Sequence, residues 1–235
     1  KNKFYQREGE GEGSVGGMDG VQEPGYLVVL GEVTDFSRLR NYFVLLPSIY
    51  ASHGGMCLAA GGLNTRGVKI LVGKCQGTSM VLSKFDRAVG PEAFWTSESY
   101  RAAAKLREGA GNFDAARAVG RPTPEGLIYR ETAGAYLVAL GKGTPEDLGG
   151  LDRALEGAQG GGRCLAVSPM VYMEQCVQED AILQSLLIWS WPTSEALSDA
   201  VSGDTVRAAL DGLAGEGGVA YSMEGVPRLV AQASG

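Results

Sequence analysis

His53 is the only histidine in the chain, and its side chain is the one best suited to acid–base chemistry near neutral pH. It precedes Gly54 and Gly55, at the end of a predicted helix and just before a predicted strand. One interpretation is a general base at the mouth of a cleft. The other, which we favour, is a helix-end residue that bonds to the backbone, because an imidazolium is stabilised at the carboxyl end of a helix.

Three side chains of the second helical region, Trp95, Tyr100 and Arg107, are candidates for ligand binding. The two aromatic rings could line a pocket, and the guanidinium could hold a substrate carboxylate. The alternative, which we favour, is that the aromatics pack a helix against a sheet and that Arg107 is a solvated charge at a helix end. The sequence contains no recognisable Ser/His/Asp set, phosphate-binding loop or paired-carboxylate motif, so no further catalytic residue is predicted.

The four cysteines, Cys57, Cys75, Cys164 and Cys176, do not predict a metal centre. They form no CxxC pair and have one histidine to join them, which does not fit a zinc site. Each half of the chain holds two, so a hairpin could join each pair as a disulfide. The alternative, which we favour, is free buried thiols that act as small hydrophobic groups. We expect no metal and no cofactor.

These candidate residues lie on a regular series of elements in the first half. An apolar strand is predicted over residues 25–33, and Asp35 caps the helix that follows. That helix carries one apolar stripe, formed by Phe36, Leu39, Phe43, Leu46 and Tyr50. Strands are predicted at 55–62, 68–75 and 79–85, and Ser97 caps a turn in the next helical region. This order predicts a ferredoxin-like α+β unit.

The second half repeats the first. The segment "GYLVVLGEV" returns as "AYLVALGKG", with the tyrosines Tyr26 and Tyr136 separated by 136 − 26 = 110 residues. Thr144 caps the next helix, with Pro145 at its first position and Asp147 completing a capping box. The repetition indicates an internal duplication. We therefore divide the chain as follows: a Gly/acid-rich arm (1–24), a first unit (25–120), a linker (121–133) and a second, diverged unit (134–235).

Duplication predicts how the two units pack. The strands are apolar on both faces, whereas helices on one side of a sheet cover only one of them. Two such sheets packed face to face bury the second face. The predicted fold class is therefore α+β, with two tandem ferredoxin-like units that form an intramolecular barrel.

The first unit resembles the dimeric α+β barrel superfamily, and most closely the uncharacterised family DUF1330. The resemblance covers residues 25 to about 120 and rests on Gly25, Tyr26, His53, Gly54, Gly55, Phe94, Trp95, Ser97, Tyr100 and Arg107. The second unit is similar only in outline, because no histidine precedes Gly161 and Thr205 lies near the tyrosine position. The superfamily includes cofactor-independent monooxygenases, lactone isomerases and haem peroxidases. Ligation of a haem by His53 would need an apolar cavity that the sequence does not locate.

Composition excludes two classes of partner. The net charge is −6 and no Lys/Arg cluster is present, which argues against nucleic acid. No uncharged apolar stretch approaches the ~18 residues of a membrane span.

The arm alternates glycine with acid, so we expect it to be ordered only against a protein partner. The chain starts with lysine, which suggests a processed protein from an organelle interior such as a plastid.

Two functions agree with these observations. The first, which we favour from the sequence, is a non-catalytic accessory or scaffold subunit of a larger assembly, held through the arm. The alternative is a cofactor-independent small-molecule oxygenase or isomerase with one active half centred on His53.

Overall fold

The computed structural model describes residues 21–63, 67–74, 77–124, 134–175 and 182–226. The strands of the first half are β1 (Val21–Gln22), β2 (Gly25–Val33), β3 (Gly55–Gly62), β4 (Val68–Val72), β5 (Ser79–Phe85), β6 (Gly111–Val119) and β7 (Thr123–Pro124). Its helices are α1 (Phe36–Ser52), α2 (Gly90–Thr96) and α3 (Glu98–Ala104), followed by a short 3-10 helix, Lys105–Arg107.

The second half repeats this order with shorter helices before its second strand. Its strands are β8 (Ala135–Gly141), β9 (Arg163–Pro169), β10 (Val171–Glu174), β11 (Ser185–Trp191) and β12 (Val219–Glu224). Its helices are a 3-10 turn, Pro145–Leu148, then α4 (Gly149–Glu156), α5 (Ser194–Ser202) and α6 (Asp204–Gly215).

Two five-stranded antiparallel sheets form the centre of the molecule, and each takes one edge strand from the other half. The first sheet has the order β10-β6-β2-β5-β3, and the second has the order β4-β12-β8-β11-β9. Thus β10, from the second half, pairs with β6, while β4, from the first half, pairs with β12. The predicted units, 25–120 and 134–235, stay a prediction. Strand β4 of the first range belongs to the second sheet, and strand β10 of the second range belongs to the first sheet.

The two sheets pack face to face, with helices on both outer faces. One apolar cluster lies between the sheets and contains alternate residues of the two central strands, such as Val28 of β2 and Val138 of β8. Two further clusters lie between each sheet and its own helices, where Leu27 and Leu137 point. Alternation along a strand sends successive side chains to opposite faces, so both faces of each sheet are buried. The predicted fold class is confirmed.

The helix ends also agree with the sequence-based predictions. The Asp35 side chain accepts a hydrogen bond from the Ser37 amide at 2.9 Å, and the Ser97 hydroxyl accepts one from the Tyr100 amide at 3.1 Å. Thr144 begins its helix with a complete capping box. Helix α1 continues past Pro47 and is closed by Gly54, whose φ of 63° is the left-handed conformation that glycine readily adopts.

Cys57 and Cys164 occupy matching places in the two repeats. Both are free thiols, and each Sγ lies 3.7 Å from the carbonyl oxygen two residues later. Burial raises the pKa of Cys57 to about 11 and that of Cys164 to about 12, so both stay protonated. Cys75 and Cys176 lie outside the described residues. Most of the predicted arm does too, so its expected contact with a protein partner stays a prediction. Among the helices described, none is long and apolar enough to cross a membrane.

Candidate active site

A cavity of about 250 Å³ lies in the first half, between the first sheet and helices α1 to α3. Its walls are almost entirely apolar, and they include Leu27, Val29, Leu39, Leu46, Met80, Val81, Phe94 and Phe113. Phe36 and Phe43 of α1 also line it, and both are largely exposed, so they mark the side that opens to solvent. Ligand sites are typically concave, apolar and marked by a few polar groups.

The polar groups of this cavity come together at one end. Tyr42 of α1 and Tyr100 of α3 are buried, and their hydroxyl groups lie 3.3 Å apart within hydrogen-bond distance. Arg107, from the 3-10 helix after α3, also lines the cavity. Helix α1 and the turn after α3 pack against each other, which brings these three side chains from distant parts of the sequence to one place.

Arg107 is held on several sides. It is 8% exposed, and its guanidinium forms two parallel bonds with Glu174, with Nη1–Oε1 at 3.2 Å and Nη2–Oε2 at 2.5 Å. The guanidinium also lies over the rings of Phe113 and Trp95, 4.5 Å and 5.7 Å from their centroids. Its Nε–H is buried and makes no hydrogen bond within the described residues. An unpaired buried donor is costly, so this N–H is suited to donate a hydrogen bond to a ligand oxygen.

Burial decides the protonation of the tyrosines. It raises the pKa of Tyr42 and of Tyr100 above the ordinary tyrosine value, although the nearby charge of Arg107 acts in the opposite direction. For Arg107, burial alone would lower the pKa, but the hydrogen bond with Glu174 and its charge raise the pKa overall. At neutral pH the site therefore presents two phenol groups and a guanidinium. All three are hydrogen-bond donors, which suits stabilisation of a partial negative charge on oxygen.

The predicted ligand residues Trp95, Tyr100 and Arg107 lie together in this cavity, with the Trp95 and Tyr100 rings 4.5 Å apart. Two other residues of the site were not predicted. Tyr42 lies three residues after Leu39 on the apolar stripe of α1, and that spacing could have indicated it. Glu174 comes from the other half, and no local signal points to it.

His53 lies elsewhere. It caps the carboxyl end of α1, and its Nδ1 is 2.9 Å from the Ile49 carbonyl oxygen and 3.0 Å from the Ser52 hydroxyl. The rings of His53 and Phe94 meet edge-on, with their centroids 5.9 Å apart. Phe94 lines the cavity and His53 does not, so Phe94 lies between His53 and the cavity. The residues present do not fit a haem, because the single histidine of the chain is absent from the lining of the cavity.

The corresponding region of the second half is filled. Val29 and Val81 are cross-strand partners in the first sheet, and both face the cavity. The matching pair in the second sheet is Ala139 and Leu187, which are fully buried in the packed core beneath α4 to α6. Trp189 adds to the filling there. The two repeats thus share a frame, and the second is packed at the positions where the first is hollow; the second half has a smaller pocket, of about 140 Å³, at a different place, between α5 and strands β4, β8 and β12.

This architecture is that of a dimeric α+β barrel formed within one chain. A solved structure described as a "putative chlorite dismutase" superimposes with a TM-score of 0.50 at 9% identity, covering 88% of this chain and 96% of that one. An "anthrone oxidase-like protein" matches with a TM-score of 0.48, 8% identity and coverage of 87% and 92%. A "putative monooxygenase" from Fusobacterium nucleatum matches with a TM-score of 0.49, 7% identity and coverage of 87% and 93%.

At the level of sequence, residues 24–119 match the family model of Domain of unknown function (DUF1330). The matched residues contain the whole first sheet except β10, together with α1 to α3 and the cavity that they enclose. The resemblance predicted from the sequence is confirmed. No curated protein matches the chain.

These comparisons correct one prediction. The chain was expected to be a non-catalytic accessory or scaffold subunit, and that expectation is wrong, because the solved structure that superimposes with a TM-score of 0.50 is described as a putative chlorite dismutase, which is the name of an enzyme. The expectation rested mainly on the Gly/acid-rich arm, and also on the diverged second unit and on the lack of a catalytic constellation visible in the sequence. The reason is physical: the polar groups of the cavity are spread over α1, the turn after α3 and a strand of the other half.

Proposed function

We propose that the protein is an enzyme that binds a small, mostly apolar molecule in the cavity of its first half and acts as an oxygenase or isomerase. The observation that carries this proposal is the hollow apolar chamber with Tyr42, Tyr100 and Arg107 gathered at one end. The names of the structurally similar proteins are in keeping with such chemistry. A volume of about 250 Å³ lies just below the ~300–1,000 Å³ of drug-sized ligand sites, so the substrate has about one or two fused rings.

The chemistry follows from the donors. A carbonyl or phenol oxygen at the polar end would accept hydrogen bonds from Arg107 and the tyrosine pair. When hydroxide from the solvent at the open mouth takes a proton from the neighbouring carbon and becomes water, the electron pair moves onto that oxygen, and the fixed donors of the apolar chamber stabilise it. In an isomerase the proton returns to another carbon. In an oxygenase, molecular oxygen oxidises the carbanion, so that a CH2 group and O2 give a carbonyl group and water.

The proton acceptor is not among the described residues that line the cavity, none of which is a carboxylate or an imidazole. We therefore centre the proposed site on Tyr42, Tyr100 and Arg107 and treat His53 as a residue to be tested separately. Its Nδ1 is engaged by the Ile49 carbonyl, and Phe94 lies between it and the cavity.

An exchange experiment tests the proposal without knowledge of the natural substrate. The probe is 2-acetonaphthone, a neutral two-ring ketone, and its methyl protons are followed by NMR as they exchange with D2O. The protein should accelerate this exchange above the buffer rate, and Arg107→Met should remove most of the acceleration. Arg117→Met is a matched control, because Arg117 pairs with Glu92 in the same half and does not line the cavity.

Failure would be plain. If 2-acetonaphthone and smaller aryl ketones bind nowhere on the protein, or bind with no gain in exchange rate, the proposed polarisation of a substrate oxygen is wrong. An equal loss in the Arg107 and Arg117 variants would show that the loss reflects the fold and that Arg107 has no special part in it.

A further inference from the structure

We propose that Glu174, which the second half places against Arg107 of the cavity, makes the site select ligands with an uncharged oxygen over carboxylates. This inference rests on the proposed function and adds the class of substrate and the residue that determines it. It identifies Glu174 as a specificity-determining residue that acts through Arg107.

The backbone shows how Glu174 reaches the site. Strand β10 pairs with β6 at the edge of the first sheet, with Tyr172 opposite Ala116 and Glu174 opposite Ala115. Two residues of β10 therefore advance against one of β6, which is a β-bulge between Tyr172 and Glu174. Bulges re-aim side chains and are frequent beside active sites. As a result Met173 packs into the helix-side core of the first half, and the carboxylate of Glu174 faces the guanidinium of Arg107.

The charges then explain the selectivity. Both terminal nitrogens of Arg107 are bonded to Glu174, so the pair is neutral as a whole. Each terminal nitrogen gives one N–H to Glu174, whereas the buried Nε–H has no partner among the described residues and remains for a ligand, together with the hydroxyl groups of Tyr42 and Tyr100, which line the same cavity. A ketone or phenol needs only such donors. A carboxylate would bring a second full negative charge to a guanidinium that is already paired, and it would have to displace Glu174 or lie against it.

Binding of three probes tests this inference. Equilibrium dialysis gives the Kd of 2-acetonaphthone, 2-naphthoate and 2-methylnaphthalene, which share one ring system and differ in the polar group. The wild-type protein should bind the ketone at least about tenfold more tightly than the carboxylate. In Glu174→Gln the uncompensated Arg107 should shift this ratio at least about tenfold toward the carboxylate. Glu174→Asp, which keeps the charge, should retain a preference for the ketone.

Two further variants make the outcome decisive. Glu92→Gln is the matched control, because it removes the carboxylate from another ion pair of the first half and should leave the ratio within about twofold of wild type. Arg107→Met with Glu174→Met replaces the whole pair by apolar groups, which folded proteins often tolerate. That double variant should still bind 2-methylnaphthalene and should show a clearly weaker preference for the ketone over it, because only the hydroxyl groups of Tyr42 and Tyr100 remain as donors.

The results separate the two proposals. If no probe binds to the wild-type protein, the proposed function fails and this inference fails with it. If the probes bind but Glu174→Gln leaves the ratio within about twofold, or if the wild-type protein prefers 2-naphthoate, only the role of Glu174 is wrong. A double variant that keeps the ketone preference undiminished would overturn the role given to Arg107 and Glu174 together.

Discussion

Replacing Val81 by phenylalanine should fill part of the cavity of the first half without destabilising the protein. Val81 lies on β5, faces the cavity and is only partly buried, because no side chain covers it from the helix side. In the second half the matching residue is Leu187, which is completely buried in a filled core. The same substitution therefore places a phenylalanine beside a cavity at position 81 and inside a filled core at position 187.

The expected magnitudes follow from packing. A sealed dry void of about 250 Å³ would cost about 6 kcal/mol at ~24 cal/mol per Å³, and the open mouth reduces that figure. A phenylalanine ring at position 81 would bury roughly 40 Å² of additional apolar surface, which is worth about 1 kcal/mol at ~25 cal/mol per Å². At position 187 no such space exists, and overpacking of a filled core costs about 1–3 kcal/mol.

Urea unfolding and probe binding together give the readout. Val81→Phe should leave the free energy of unfolding unchanged or raise it by up to about 1 kcal/mol, and should weaken binding of 2-acetonaphthone at least about tenfold. Leu187→Phe should lower the free energy of unfolding by about 1–3 kcal/mol, with the probe Kd within about twofold of wild type. The binding and stability effects should thus separate between the two variants.

Either of two results would refute this reasoning. If Val81→Phe destabilised the protein as much as Leu187→Phe, the region beneath α1 to α3 would be packed in solution and the cavity would not be the ligand site. Unchanged probe affinity in Val81→Phe, with the protein intact, would place the ligand elsewhere.

Three further predictions concern the same region. Tyr100→Phe removes one donor and should lower the catalysed proton exchange of 2-acetonaphthone by about 10²-fold, as measured by NMR. His53→Gln should change the free energy of unfolding by no more than about 1–2 kcal/mol and leave that exchange nearly intact, whereas a loss of about 10²-fold would identify His53 as the base. Burial raises the pKa of Tyr50 and raises the pKa of Cys57 to about 11, so the folded chain keeps protons that the unfolded chain releases. Their contribution to stability is complete below pH ~9 and is lost as the pH rises toward 11 and beyond; urea titrations from pH 8 to 11 should show the decline, and Cys57→Ala should reduce it.

Local features of the fold could be predicted from the sequence. The caps at Asp35, Ser97 and Thr144 depend on residues within one helical turn, and the duplication is visible as a repeated pattern of strands. The exchange of β4 and β10 between the sheets could not be predicted in this way. Pairing across the halves depends on which sheet edges meet after folding, and the sequence of a strand does not specify its neighbour.

The candidate site shows the same division. The spacing of Trp95, Tyr100 and Arg107 predicts that they share one helical region, and they do lie together. The cavity itself depends on small differences in side-chain volume, such as valine at position 81 against leucine at 187, which have no periodic signature. Glu174 lies 67 residues from its partner Arg107, and a pairing at that separation is set by tertiary structure alone.

The exchanged strands give a physical reason for the two halves to remain in one chain. A hollow between sheet and helices forgoes packing energy, and the first half retains such a hollow while the second has filled it with Leu187 and Trp189. Because β10 completes the first sheet and brings Met173 and Glu174 with it, the well-packed half supports the edge of the half that holds the cavity. Separation of the halves would remove an edge strand from each sheet and the counter-ion of Arg107 from the site. The second half thus supplies both the edge strand beside the cavity and the charge that neutralises the polar end of the cavity.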